Sequence, residues 1–225
     1  MSKVLVVAVH PDDETLGCGG TLLKHKASGD EIYWLVMTGP RKGDMPHFTD
    51  EFLAKRDAMV DGIAKEYGFN ETIKLNLPSQ SLHLLDLREI IQKISDVFKR
   101  IQPDIIYTMF CNDVHSDHRV AFDAVYSCTK SFRYPFIKQI LMIEALSETD
   151  FAVATSGNAF VPNVYVDITD FIDRKLELMD MFKGEVQQEP YPRSLSSIKA
   201  LARVRGSRAG VMYAEAFQLL YEKRS

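Results

Sequence analysis

The stretch Val4 to Gly20, VLVVAVHPDDETLGCGG, constrains the fold more than any other part of the 225-residue chain. Val4 to Ala8 is short, rich in Val and apolar on both faces, the signature of a strand buried in a parallel sheet. It runs almost directly into His10, Pro11, Asp12, Asp13 and Glu14, and then into the Gly-rich opening of a helix. A buried strand that empties into ionisable residues places them at the carboxyl edge of the sheet, where open α/β sheets keep their ligand sites.

His10 and Asp13 lie three residues apart, with Pro11 stiffening the turn between them. An imidazole and a carboxylate at this spacing can converge on one divalent ion. Asp12 between them is the spare carboxylate that a hydrolytic site needs as a base. Acidic residues also cap helices and favour their positive N-termini, so this cluster does not decide the matter alone. A second cluster does: Asp113, Val114, His115, Ser116, Asp117, His118 and Arg119 follow another apolar run, Asp104 to Met109. If both strands are parallel, the two clusters meet at one sheet edge. The glycines of GCGG lack dinucleotide-fingerprint spacing, and acidic residues stand where a pyrophosphate would sit, so they are read as serving close packing against the sheet or close backbone approach to a ligand.

The remaining chain alternates strand and helix. Thr15 to Ser28 reads as a helix, Glu31 to Thr38 as a strand, and the Gly- and Pro-bearing segment 39–50 as a loop at the mouth of the site. His47 in that loop is left out of the site. Phe52 to Tyr67 reads as a helix and Thr72 to Leu77 as a strand. Leu84 to Ile101 is a helix by its apolar residues at three- and four-residue spacing. Asp117 to Thr129 is a helix and Gln139 to Leu146 a strand. Beyond Asp150 come a strand at Val164 to Ile168, a helix from Thr169 to about Phe182, a loop at Gln187 to Ser194, and a helix from Ser197 to Arg205 broken by Gly206. The expected fold is α/β and Rossmann-like: a mostly parallel open sheet flanked by helices. One domain is expected over residues 1–225, with a core at 1–150 and an extension at 151–225 that completes the site.

HPDDETLGCGGTL followed by HSDH resembles the PIG-L/LmbE family of metal-dependent de-N-acetylases, and PRSLSSIKALARVRGSRAGVMYAEAF resembles that family's tail. The resemblance implies a mononuclear metal held by His10, Asp13 and His118. Two imidazoles and one carboxylate leave a position for water, as in catalytic zinc sites; Fe2+ shares these ligands. It implies Asp12 as general base, and His115 as the protonated partner of the oxyanion, held so by Asp117 or Asp113. Arg56 matches a sugar-contacting position. Ser79 stands where many relatives carry a sugar-binding Asp. The expected reaction is zinc-dependent removal of an N-acetyl group from an amino sugar or sugar conjugate. Two other classes share the residues: an Fe(II) oxygenase using the same His/Asp/His set, and a non-catalytic sugar or nucleotide-sugar binder.

Composition excludes several alternatives. Net charge is −4, which argues against nucleic acid and anionic membranes as partners. Lys199, Arg203, Arg205 and Arg208 still form a local basic patch, which could receive a substrate phosphate, with Arg205 as the candidate contact. No segment approaches the roughly 20 apolar residues of a membrane span. Cys18, Cys111 and Cys128 form no framework, and no apolar run near the N-terminus has signal-peptide length. A cytoplasmic protein is therefore expected, acting on a small N-acetylated sugar; homo-oligomers occur in the family.

Overall fold

The computed structural model describes all residues except 44, 45, 47 and 225, so His47 lies outside the described residues. The strands are β1 (Lys3–Ala8), β2 (Glu31–Gly39), β3 (Glu71–Pro78), β4 (Ile105–Thr108), β5 (Gln139–Met142), β6 (Val164–Asp167) and β7 (Ala214–Glu222). The helices are α1 (Asp13–Ala27), α2 (Asp50–Tyr67), α3 (Leu87–Ile101), α4 (Ser116–Ser127), α5 (Ile172–Met181) and α6 (Leu195–Ala209). A 3₁₀ turn covers Leu82–Leu84. The sheet order is β3-β2-β1-β4-β5-β7-β6. The first five strands pair in parallel; β7 runs antiparallel to both β5 and β6. The expected α/β, mostly parallel sheet is thus the observed one.

Val4 to Val9 are completely buried, because β1 has a strand on each side and helices over its faces. Full burial of each such side chain stabilises the fold by about 1.5–3 kcal/mol. The chain winds from β1 outward through β2 and β3, then returns to place β4 on the other side of β1. The carboxyl ends of β1 and β4 therefore flank the point where strand order reverses, where a crevice opens in such sheets. Both sequence clusters follow these two strands.

Several boundaries differ from the sequence reading. Helix α3 starts at Leu87, capped by the Asp86 carboxylate on Arg88 N–H (2.9 Å), and Leu84 stays outside it, 74% exposed. Strand β5 ends at Met142, four residues early. Gly206 does not break α6, which continues to Ala209. A Cβ at Gly206 would stand 2.7 Å from the Met212 carbonyl oxygen, so this glycine serves close packing. The AEAF segment forms the start of β7. Gly17 has the expected packing use: its missing side chain leaves room for Ile143, whose atoms would lie 2.5–2.8 Å from a Cβ.

The residues after 150 add two strands to the sheet and steady α1. That helix is kinked at Cys18 (φ −147°, ψ 20°). The kink frees N–H groups of its second half, and the buried Glu215 carboxylate of β7 accepts Gly20 N–H (2.8 Å) and Thr21 N–H (2.7 Å). Lys175 of α5 pairs with Glu215 at 2.7 Å and donates to the Leu16 carbonyl at 2.9 Å. No helix among the described residues is long and apolar enough to cross a membrane.

Candidate metal centre

The turn from β1 into α1 aims its side chains into the crevice. The Asp13 Oδ2 atom accepts the N–H groups of Val9 (2.9 Å) and His10 (2.7 Å). That fixes the carboxylate and leaves Oδ1 facing His118, 3.5 Å from its Nε2. His118, in the first turn of α4, has its Nδ1 2.9 Å from Asp113 Oδ2; Asp113 Oδ1 accepts the Thr149 hydroxyl at 2.7 Å. Asp113 thus fixes the ring with its proton on Nδ1 and its Nε2 lone pair turned towards His10 Nδ1, 3.4 Å away. The donor atoms of His10, Asp13 and His118 all lie within 4.8 Å of one another. Burial disfavours charge on His118, but the Asp13 and Asp113 carboxylates outweigh it and draw a proton there. Two nitrogens and one acidic oxygen converging on a point that attracts positive charge fit a divalent ion.

Asp12 sits beside this set with φ 153° and ψ −26°, a backbone region that costs a non-Gly residue of order 1–3 kcal/mol. Its N–H is held by Glu14 Oε2 (3.1 Å), its carbonyl by Leu16 N–H (2.8 Å), and its Oδ2 lies 3.3 Å from Arg193 Nη1. Burial, then the Asp13, Glu185 and Glu14 carboxylates, hold Asp12 well above the ordinary carboxylate range, against the pull of Arg193. Burial pushes Glu14 up to about 8.

His115 is the N-cap of α4, and its Nδ1 accepts the Asp117 N–H at 3.1 Å. The proton of its neutral ring is therefore on Nε2. The sequence reading expected a protonated His115 held by Asp117 or Asp113; in this arrangement both carboxylates have other partners. The Asp113 carboxylate is spent on His118, and that of Asp117 accepts the N–H groups of Gln80 (2.6 Å) and Leu82 (3.0 Å). Burial, then the neighbouring His10 and His118, lower His115 to about 4. Asp117 instead anchors the loop after β3 against α4 and lies 3.8 Å from His10 Nε2. Burial would raise its pKa, but His10 and the two N–H donors hold it below its ordinary value.

His10, Asp12, Asp13 and His115 line a hollow of about 250 Å³, and His118 lies behind them. Arg56 and Ser79 are on its wall; Glu185 joins the two arginines there, 3.8 Å from Arg56 and 3.2 Å from Arg193. Arg205 does not line this hollow: its guanidinium grips Glu144 beside a separate, smaller hollow. Two other members of the expected basic patch also have partners within the fold, Lys199 on Asp173 and Arg203 on the Met212 carbonyl. Arg193, Glu185, Gln80 and Glu148 were missed from sequence, because isolated polar residues in irregular segments carry no pattern. The one available signal for Arg193 was its place in the tail that resembles the family's.

Residues 5–129 match the PIG-L family model, described as GlcNAc-PI de-N-acetylase. The match covers more than half of the chain and includes both clusters: the chain belongs to the PIG-L family. It is 32% identical over 126 residues to the uncharacterized deacetylase YaiS of Escherichia coli K12; the match spans 54% of this chain and 64% of YaiS, under two thirds of that protein. Over 98% of its length it is 22% identical to the diacetylchitobiose deacetylase of Thermococcus kodakarensis, covering 84% of that protein. Among solved structures, the 4-carboxy-2-hydroxymuconate hydratase GalB of Pseudomonas putida KT2440 shares the fold, with TM-score 0.78, 16% identity and coverage of 100% of this chain and 98% of that one.

Proposed function

We propose that this chain is a metal-dependent de-N-acetylase that hydrolyses the acetamide of an N-acetylated amino sugar or sugar conjugate. The carrying observation is the convergence of His10, Asp13 and His118 donors beside the buried Asp12 and the Nε2 face of His115. Membership of the PIG-L family and the deacetylase names of its relatives support the same reaction class. A divalent ion held by His10, Asp13 and His118, zinc in the first instance, would activate water and polarise the acetyl oxygen.

The chain's own groups do the remaining work. Asp12, made basic by its burial, takes a proton from the attacking water. His115 donates its Nε2–H to the oxygen that gains charge as water adds to the carbonyl carbon. Asp12 then returns its proton to the sugar nitrogen, which leaves as an amine while acetate forms. Arg193 holds Asp12 in place, and Arg56 and Ser79 on the same wall face the sugar.

The test is acetate release from a panel of N-acetylated sugars by metal-replete and by chelated protein. Release that stops on chelation and resumes on adding metal is the expected result. An absence of release from every member by metal-replete protein sinks the proposal. The panel should include unsaturated acids, because a hydratase shares this fold.

A further inference from the structure

We propose, on the de-N-acetylase reading above, that the buried side chains of Tyr67, Thr15 and Glu14 form a positioning device that holds the Asp12 backbone in the conformation its role as base requires. Glu14 and Thr15 are completely buried, and neither lines the catalytic hollow. Glu14 Oε2 accepts the Asp12 N–H at 3.1 Å, and its Oε1 accepts the Thr15 hydroxyl at 2.6 Å. The Thr15 oxygen lies 2.9 Å from the hydroxyl of Tyr67, the buried last residue of α2. Gly19 makes this last link possible, since a Cβ there would stand 2.5 Å from the Tyr67 oxygen. An unbroken polar chain therefore runs from the end of α2 to the peptide N–H of Asp12.

The chain works against stability. Both Glu14 oxygens are met by neutral donors rather than by a cation, and the Asp12 and Asp13 carboxylates are nearby. A buried carboxylate without a cationic partner is costly, and an apolar side chain of similar size would pack there at less cost. Proteins keep such costs at functional sites. What Glu14 secures is shown by the group it holds. Rotation about the Asp12 N–Cα bond is the angle φ, which stands at 153°. A clamp on the Asp12 N–H fixes that rotation, and with it the direction of Cβ and of the carboxylate.

Asp12 is held at two further points, by Leu16 N–H on its carbonyl (2.8 Å) and by Arg193 at Oδ2 (3.3 Å). Neither grips the N–H. Without Glu14, φ would relax towards the ordinary negative region and swing the carboxylate away from the metal-binding set. Thr15 and Tyr67 stiffen the clamp in turn. The Thr15 hydroxyl orients the Glu14 carboxylate, and Tyr67 fixes the Thr15 hydroxyl from a different helix.

The experiment compares metal-loaded wild type with Glu14→Met, Glu14→Gln, Thr15→Val and Thr15→Ser, using the N-acetylated sugar that wild type hydrolyses fastest. For each, kcat, KM, metal content and the urea midpoint are measured. Glu14→Met should lose about 10²-fold in kcat, the cost of a small misplacement of a catalytic group, with KM within about threefold of wild type and the metal retained. Glu14→Gln should restore most of that loss. Its amide oxygen can accept the Asp12 N–H while its NH2 donates to the Thr15 hydroxyl, which then donates to Tyr67. Thr15→Val should lose about tenfold in kcat at unchanged KM, and Thr15→Ser should recover it. Thr15→Val keeps the shape of the side chain, so it decides the matter if Glu14→Met does not fold. Wild-type kcat in folded Glu14→Met or in Thr15→Val overturns the inference, as does a Glu14→Gln as impaired as Glu14→Met. A change confined to the urea midpoint or to metal content also overturns it, because Glu14 would then serve the fold or Asp13 alone. Absence of release by wild type from every N-acetylated sugar removes the de-N-acetylase reading, and this inference with it.

Discussion

Asp113 Oδ2 lies 2.9 Å from His118 Nδ1, and both side chains are completely buried. A carboxylate in this place sets the tautomer of a metal-binding imidazole and raises its basicity. Asp113→Ala should therefore weaken metal binding about 10–100-fold while the protein stays folded. Competition with a chromogenic chelator measures this. An unchanged affinity would show that His118 does not depend on Asp113 for metal binding.

Asp12 and the donor set make separable contributions. Asp12→Asn should retain one metal per chain and lose about 10²–10⁴ in kcat. His118→Ala should lose the metal itself. Elemental analysis beside acetate release distinguishes the two, and normal turnover by Asp12→Asn would remove Asp12 from the role of base.

Glu215 and Lys175 form a buried pair that also caps the kinked α1. Removing one partner strands the other, so Glu215→Ala should cost about 3–5 kcal/mol in denaturant unfolding. The double variant Lys175→Met, Glu215→Leu should recover part of that loss, because no charge is left buried. A double variant no more stable than Glu215→Ala would place the cost in the lost Gly20 and Thr21 caps instead.

Asp104 links the amino ends of β1 and β4 through Lys3 N–H (2.8 Å) and pairs with Lys138 (2.8 Å). Partial burial would raise its pKa, but Lys138 and the Lys3 N–H outweigh that and hold it below the ordinary value. A folded pKa below the unfolded one gives stability that is present above about pH 4 and lost as pH falls through the folded value. Asp104→Asn should thus be less stable than wild type at neutral pH, by under about 1 kcal/mol because Lys138 is exposed. The gap should close in acid. Urea midpoints across that range check it, and a gap that widened on acidification would reverse the sign of the argument.

What the sequence determined alone was the local chemistry and its approximate place. An apolar β-rich run ending in HPDD, and a second ending near HSDH, carry their own evidence. Burial on both strand faces dictates composition, and ligands close in sequence must project from one turn. The alternation of strand and helix in the first 150 residues was legible for the same reason. Tertiary structure decided whatever depends on partners distant in the chain. Arg193 reaches Asp12 across 181 positions, and Glu215 caps Gly20 across 195. Arg205 and Lys199 read as an open basic patch until Glu144 and Asp173 are seen to hold them. That His115 caps α4 by accepting the Asp117 N–H on its Nδ1 is likewise seen only in the packed structure. Leu84 fits a core stripe by spacing, yet the Asp86 cap starts the helix after it and leaves it at the rim of a hollow. Periodicity records which faces a segment can bury; only the packed fold decides which neighbour arrives to accept a charge, a proton or an apolar group.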